Sequence, residues 1–466
     1  MSTVDLAGSS AVAIAAAIAA GRLSSEEATA AALDRLAAVH ETCNAVVTFE
    51  RETALARARA FDKAQKPGVA AGPLGGVPLA HKDMFDRVGR IASWGARIRA
   101  AEPATRNAAA IERLEQAGSI QIAALHLSEF AFSPTGHNYV IGHCRNPWDP
   151  TRITGGSSSG SGAAVAAGAV PFALGSDTGG SLRLPSAACG IASIKPTYTR
   201  VSRAGAMPLA NGLDTIGALA RHVEDLAVAL GVLAGHDPAD GATSHRPVPD
   251  YLRQMQAPVA GLRIGLDERV AGNAHPEIQL RLDAALRLLE MAGCRRVAVR
   301  FPDWKRLDDL VQMVQMTEVA AAHGHFLRTR AADYGPQVRA RFEPGHYLPA
   351  YAYQTALRAR GTWLARTLAQ TYAEADVAIL PILPDPLPTI AALDVGDGPT
   401  LMAAMARTVH FTRPVNYLGL PTLALPLPRE GGLPNGFQLI GRPFEEGRLL
   451  SLGRVYQQAL PPEVAT

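Results

Sequence analysis

Along the first 65 residues alanine dominates and the apolar positions recur at helical spacing, which predicts a helical preface. Inside it Ser24-Ser25-Glu26-Glu27 has the form of a capping box and opens a helix towards Val39. The period changes at Gly72. Pro73-Leu74-Gly75-Gly76 is turn punctuation, and Val77-Pro78-Leu79-Ala80 is a short continuous apolar run, the pattern of a buried strand that ends at Lys82. An amphipathic helix over Asn107–Ala117 and a strand-like Ile120–Leu125 follow, and this strand-helix-strand rhythm predicts an α/β sheet.

The run Gly155–Gly162 has the composition of a linker, yet it leads directly into a small-residue helix, Ala163–Ala169. A core strand, Val170–Leu174, comes next, then a tight loop at Asp177-Thr178-Gly179-Gly180, a helix starting at Ser181 and a strand at Ile191–Ile194. Both glycine-flanked serine runs therefore fall on loops at element ends. A Pro/Asp/His-rich stretch over Gly235–Pro258 interrupts the pattern before the strand Leu262–Leu266, helices over 277–292 and 308–331, and a strand at Asp376–Leu380.

Composition narrows the function classes. With 466 residues, 48% apolar and 19% charged, the chain can bury a large core. A net charge of +3 with no basic stripe argues against nucleic acid as a partner. Cys43, Cys144, Cys189 and Cys294 are widely spaced and form no CxxC pair, so they read as buried free thiols. The apolar run Ala11–Ala20 is too short to span a bilayer and has no basic flank, so the expectation is a cytoplasmic protein with no membrane partner.

The candidate chemistry lies in three places. Ser157, in Gly155-Gly156-Ser157-Ser158-Ser159-Gly160, and Ser181, in Asp177-Thr178-Gly179-Gly180-Ser181, stand twenty-four positions apart, and Lys82 ends the apolar strand before them. A serine nucleophile needs a base and donors for an oxyanion. Consecutive glycines before Ser181 let backbone N–H groups of Thr178, Gly179, Gly180 and Ser181 turn towards a carbonyl oxygen. A lysine at the end of a buried strand can lose its proton and serve as base. Gly156-Ser157-Ser158-Ser159-Gly160 also fits a G-x-S-x-G elbow with Ser158 as nucleophile, but Pro147-Trp148-Asp149-Pro150 stands where that elbow needs a strand. No Gly-Lys-Ser/Thr closes a phosphate loop, and neither His323 with His325 nor His137 with His143 has a third metal ligand at motif spacing. Asp177 and Arg183 flank the nucleophile as a bracing ion pair, with contact between Arg183 and a substrate carboxylate as the alternative.

Together these runs resemble the amidase signature family, and the likeness extends to Arg145-Asn146-Pro147-Trp148-Asp149, Ile194-Lys195-Pro196-Thr197, Phe411–Pro421 and Gly436–Gly441. The resemblance implies one α/β/α unit over 1–466 with a mixed sheet of roughly ten strands: a preface at 1–65, a catalytic core at 72–230, a variable substrate-side excursion at 235–360 and a return to the core at 370–466. It implies catalysis by Lys82, Ser157 and Ser181 in a Ser-Ser-Lys relay, a cis bond between Gly156 and Ser157, and neither cofactor nor metal. Ser159 stands where many members have glycine. His126 stands where asparagine is usual in the glutaminase-like subunits of tRNA-dependent amidotransferases, and the segment from Phe130 to Gly136 differs from theirs. Candidate substrate contacts are Phe132, Ser133, Thr135 and Ser158, and Phe326, Tyr334, Phe342, Tyr347 and Tyr351 are candidates to wall an apolar pocket. The implied activity is hydrolysis of a small-molecule amide, such as an aryl amide, an amino-acid amide or a related carbamate. The alternatives are the glutaminase-like component of a tRNA-dependent amidotransferase and a catalytically silent protein of the same fold. A homodimer is left open.

Overall fold

Eleven strands form one mixed sheet in the computed structural model, which describes residues 6–65, 71–99, 102–429 and 431–460. In chain order they are β1 (Val46–Phe49), β2 (Pro78–Lys82), β3 (Ile120–Leu125), β4 (Phe172–Asp177), β5 (Ala192–Lys195), β6 (Thr215–Ala220), β7 (Arg263–Leu266), β8 (Arg295–Ala298), β9 (Val377–Pro381), β10 (Thr422–Pro426) and β11 (Gly436–Ile440). Across the sheet the order is β1-β3-β2-β4-β6-β5-β10-β11-β9-β7-β8. The pairs β3-β2-β4 and β9-β7-β8 are parallel, and the rest are antiparallel. Every residue of β2, β3, β4 and β6 is buried, which is why none of these segments shows the apolar-polar alternation of a half-exposed strand.

The helix Ser25–Cys43 starts as its capping box dictates: the Glu27 N–H donates to Ser24 Oγ at 3.0 Å, and the Ser24 N–H donates to Glu27 Oε2 at 2.8 Å. It stops at Asn44, whose φ of 53° takes the chain out of the helix. The preface is not wholly helical, because β1 follows at once and pairs antiparallel with β3 at the sheet edge. Four residues are too few to impose a period of two on an alanine-rich background. Two helices are displaced from their expected starts: the small-residue helix runs Ser159–Ala166, and the one expected at Ser181 begins at Arg183. The strands β6, β8, β10 and β11 carry no clear alternation and were not expected from the sequence as strands. All four cysteines are free and buried. No described helix is long and apolar enough to cross a membrane.

Candidate active site

β2 and β4 lie side by side and parallel, so Lys82 and Asp177 end at the same edge of the sheet, the carboxyl end where α/β sheets bind ligands. Lys82 has no solvent exposure. Its ammonium-forming Nζ donates to Ser157 Oγ at 2.7 Å and to Ser176 Oγ at 2.9 Å. Burial lowers its pKa to about 7, although the carboxylates of Asp177 and Asp214 pull the other way. At neutral pH a large fraction of Lys82 is therefore uncharged and able to accept a proton. Ser176 was missed in the sequence because an alternate strand residue carries no motif.

Ser157 sits just before the helix Ser159–Ala166, and the Gly156–Ser157 peptide bond is cis. The loop is pinned from three sides. Its Ser157 carbonyl accepts from Ser128 N–H at 3.2 Å, Gly160 N–H donates to the His126 carbonyl at 2.9 Å, and Ser158 N–H donates to the Ser181 carbonyl at 3.4 Å. This last bond holds the two serine loops together. No hydrogen bond joins the Ser157 and Ser181 hydroxyls, and among the described residues the Ser181 hydroxyl has no protein partner. Ser181 is half-buried and lines a cleft with about 420 Å³ of empty space, its open mouth included.

Asp177 shapes the loop that carries Ser181. Its carboxylate accepts from Gly180 N–H at 2.8 Å, Leu182 N–H at 3.1 Å and Asn416 Nδ2 at 2.7 Å, and it pairs with Arg183. Burial would raise its pKa, but Arg183, Lys195 and Asn416 together hold it well below the usual carboxylate range. One sequence expectation is corrected here, and for Arg183 the bracing ion pair with Asp177 is present while the alternative contact with substrate falls away. Gly180 spends its amide on Asp177 and so does not face an oxyanion, whereas the N–H groups of Gly179 and Ser181 have no partner among the described residues. Arg183 is closed off from substrate: Asp177, Asn416, Gln438 and the Thr412 carbonyl take its donors. Thr178 lines the cleft and donates its hydroxyl to Asp214 at 2.5 Å, and Thr412 Oγ1 donates to the Gly179 carbonyl at 2.6 Å.

Of the four substrate-contact candidates, Phe132 and Ser133 line the cleft. Thr135 does not: its hydroxyl is buried between Ser133 Oγ at 2.9 Å and His137 Nδ1 at 2.8 Å. Nor does Ser158, whose buried hydroxyl donates to the Ser176 carbonyl at 3.3 Å, which also removes it as a nucleophile. The aromatics of the variable stretch do not wall the pocket. Tyr334 and Phe342 pack on Phe130, Phe326 packs on the core, and Tyr347 and Tyr351 point to solvent. His126 is wholly buried and pairs with the Gly142 carbonyl away from the cleft.

The variable stretch contributes polar groups instead. Gln315, from the helix Trp304–Thr329, and Arg341, from the helix Pro336–Phe342, both line the cleft. Arg341 donates to the Phe132 carbonyl at 2.6 Å and lies over the Phe132 ring at 4.1 Å, and no carboxylate pairs with it among the described residues. Burial, with Arg413 beside it, lowers its pKa to about 9, so it remains a cation at neutral pH. Arg413 also lines the cleft but is already neutralised by Asp308 at 2.6 Å. An isolated arginine or glutamine on a helix carries no sequence signal, so neither was found by pattern.

The family model described as Amidase matches residues 27–450. A glutamyl-tRNA(Gln) amidotransferase subunit of Chloroflexus aurantiacus is 38% identical over 466 residues, covering 95% of each chain. Among solved structures, one from a study of a vestigial protein complex and the evolutionary origins of an s-triazine catabolic enzyme superposes with a TM-score of 0.90. It is 35% identical and covers 97% of this chain and 98% of its own. The native peptide amidase of Stenotrophomonas maltophilia superposes with a TM-score of 0.83 at 27% identity, with 97% of each chain covered.

Proposed function

The chain belongs to the amidase family and is a hydrolase of carbon–nitrogen bonds, and from that premise we propose that it cleaves a small amide carrying a carboxylate, through an acyl-enzyme on Ser181. The observation that carries the chemistry is the buried hydrogen bond from Lys82 Nζ to Ser157 Oγ at 2.7 Å, beside the cleft that Ser181 enters. Neutral Lys82 takes the Ser157 proton, Ser157 takes the Ser181 proton, and Ser181 Oγ bonds to the amide carbon. The N–H groups of Gly179 and Ser181 receive the oxyanion, and one such donor typically supplies roughly 3 kcal/mol. Collapse breaks the C–N bond as Ser157, resupplied by Lys82, protonates the leaving nitrogen. Water then attacks the ester by the same relay, releasing the acid and restoring Ser181.

Arg341 narrows the substrate class. A largely buried guanidinium without an anionic partner is costly, and a substrate carboxylate removes that cost when it binds. The test is ammonia release from succinamate against neutral butanamide, with Ser181 mapped by a fluorophosphonate. Succinamate is turned over far faster, and Arg341→Met raises its KM at least tenfold without lowering labelling of Ser181. Equal rates on the two amides sink the substrate class, and absence of an adduct on Ser181 sinks the mechanism.

A second reading is favoured by the 38%-identical amidotransferase relative: glutamine as the amide, hydrolysed within an amidotransferase. Glutamine also carries a carboxylate. Glutaminase activity that rises when amidotransferase partner proteins and charged tRNA are added distinguishes this reading from a stand-alone amidase.

A further inference from the structure

The cleft holds a second polar group that the mechanism leaves idle. Gln315 is 8% exposed, and its carboxamide makes no hydrogen bond to any described residue. Of the other buried glutamines, Gln121 pairs with His81 and Ser119 and Gln438 with Arg183 and two carbonyls, while Gln337, whose Nε2 is also unpaired, does not line the cleft. One turn along the same helix, Glu318 is also committed, to Gly212 N–H and the Tyr353 hydroxyl. Gln315 is therefore not part of the scaffold's polar network. Its Nε2 stands 3.9 Å from the point a Cβ would occupy on Gly179, so the missing side chain leaves an open line from the carboxamide to the oxyanion loop.

We propose that Gln315 is a specificity residue that hydrogen-bonds a polar N–H flanking the scissile carbonyl, so that the site prefers a ureido acid to the isosteric acyl amide. The inference rests on the reading of Arg341 as the carboxylate site and deepens it. With the carboxylate at Arg341 and the carbonyl carbon at Ser181, the atom that joins the carbonyl to the rest of the substrate passes Gly179, within reach of Gln315. A methylene there leaves a desolvated carboxamide unpaired, whereas an N–H donates to its Oε1 once the carboxamide, which faces Gly179 with Nε2 and has no protein partner to give up, turns over by half a rotation. Discrimination of this kind does not depend on apolar fit, because the wrong substrate strands a polar group.

The experiment compares succinamate with N-carbamoylglycine, which differs by one methylene replaced with N–H. Hydrolysis of the terminal C–N bond releases ammonia from both, and the N-carboxyglycine formed from the ureido substrate then loses carbon dioxide. The readout is the ratio of kcat/KM for the ureido acid to that for succinamate in the wild type, divided by the same ratio in Gln315→Leu, which cancels their intrinsic difference in reactivity. The inference expects a quotient of about 10 to 100, with succinamate kcat/KM within about threefold of wild type. Gln315→Met, equally unable to accept from an N–H, gives the same quotient, and unchanged fluorophosphonate labelling of Ser181 shows that the site is intact. A quotient near one overturns the inference while the carboxylate reading stands. Equal loss on both substrates also overturns it, since that marks a structural role. If neither substrate is hydrolysed, the carboxylate reading fails and takes this inference with it.

Discussion

Asp177 and Arg183 form an ion pair at 2.9 Å in which neither side chain has any solvent exposure. The pair matters because the same carboxylate also receives the amides of Gly180 and Leu182, so the charge that neutralises Arg183 also sets the path of the backbone on either side of Ser181. Asp177→Asn leaves a buried guanidinium without its counter-charge, a loss of about 3–5 kcal/mol. The expected outcome is a lowered melting temperature and at least a hundredfold lower kcat. Because Asp177 ionises well below its unfolded value of 3.8, its contribution is present above that pH and is lost as pH falls further below it. Wild type should therefore lose stability below pH 4 more steeply than the variant does, as thermal melts across pH will show.

Lys82 gives activity and stability a shared pH dependence. With a pKa of about 7, the uncharged base accumulates as pH rises through neutrality, so kcat/KM for an amide should climb about tenfold per pH unit below 7 and level off above it. A flat profile from pH 5 to 9 contradicts the role. Unfolding returns the lysine to its ordinary value of 10.5, so folded stability increases with pH between about 7 and 10.5. Lys82→Met should be inactive at every pH, and its stability relative to wild type should fall steadily from pH 7 to pH 10.

The reach of the sequence follows from how local each feature is. Lys82, Ser157 and Ser181 stand in Gly/Pro-punctuated runs whose backbone demands are written locally, and the structure places Lys82 and Ser157 in contact, with Ser181 on the neighbouring loop. The direction of the Gly180 amide was not legible, because its partner is a carboxylate three residues back whose own pose depends on Asn416, at the other end of the chain. Arg341 and Gln315 were hidden for the same reason: only the packing of two helices brings them to Ser181. β1 was lost because four residues after an αL asparagine leave too little pattern to read.

Gly160 is required by space and not by φ. A Cβ there would stand 2.3 Å from the Ala45 carbonyl oxygen and 2.5 Å from His126 N, both backbone atoms that cannot yield separately from β1 and β3. Gly160→Ala should push the helix Ser159–Ala166 off the sheet and carry Ser157 away from Lys82. Loss of several degrees in melting temperature together with slower fluorophosphonate labelling of Ser181 is expected. Unchanged values for both would show that the helix can shift without moving the serine.

Glu129 ties the cleft's two walls together. Its carboxylate accepts from Gly335 N–H at 3.0 Å, and the close approach uses the missing side chain of Gly335, where a Cβ would meet Glu129 Oε2 at 2.6 Å. Six residues on, Arg341 reaches back to the Phe132 carbonyl, so the helix bearing the proposed anion site is fastened at both ends to the segment carrying Phe132 and Ser133. Burial raises the Glu129 pKa to about 7, more than the Gly335 N–H and Arg97 lower it. Its folded pKa lies above the unfolded value of 4.5, so stability is fully present below 4.5 and is lost as pH rises through 7. Glu129→Gln keeps an acceptor for Gly335 and removes the ionisation. The variant should match wild type in thermal melts at pH 5 and exceed it by a few degrees at pH 8, with KM for succinamate within about threefold of wild type. Glu129→Ala, which unfastens Gly335, should instead raise that KM several-fold. A glutamine variant less stable than wild type at both pH values would show that the charge, and not the hydrogen bond, holds the two walls together.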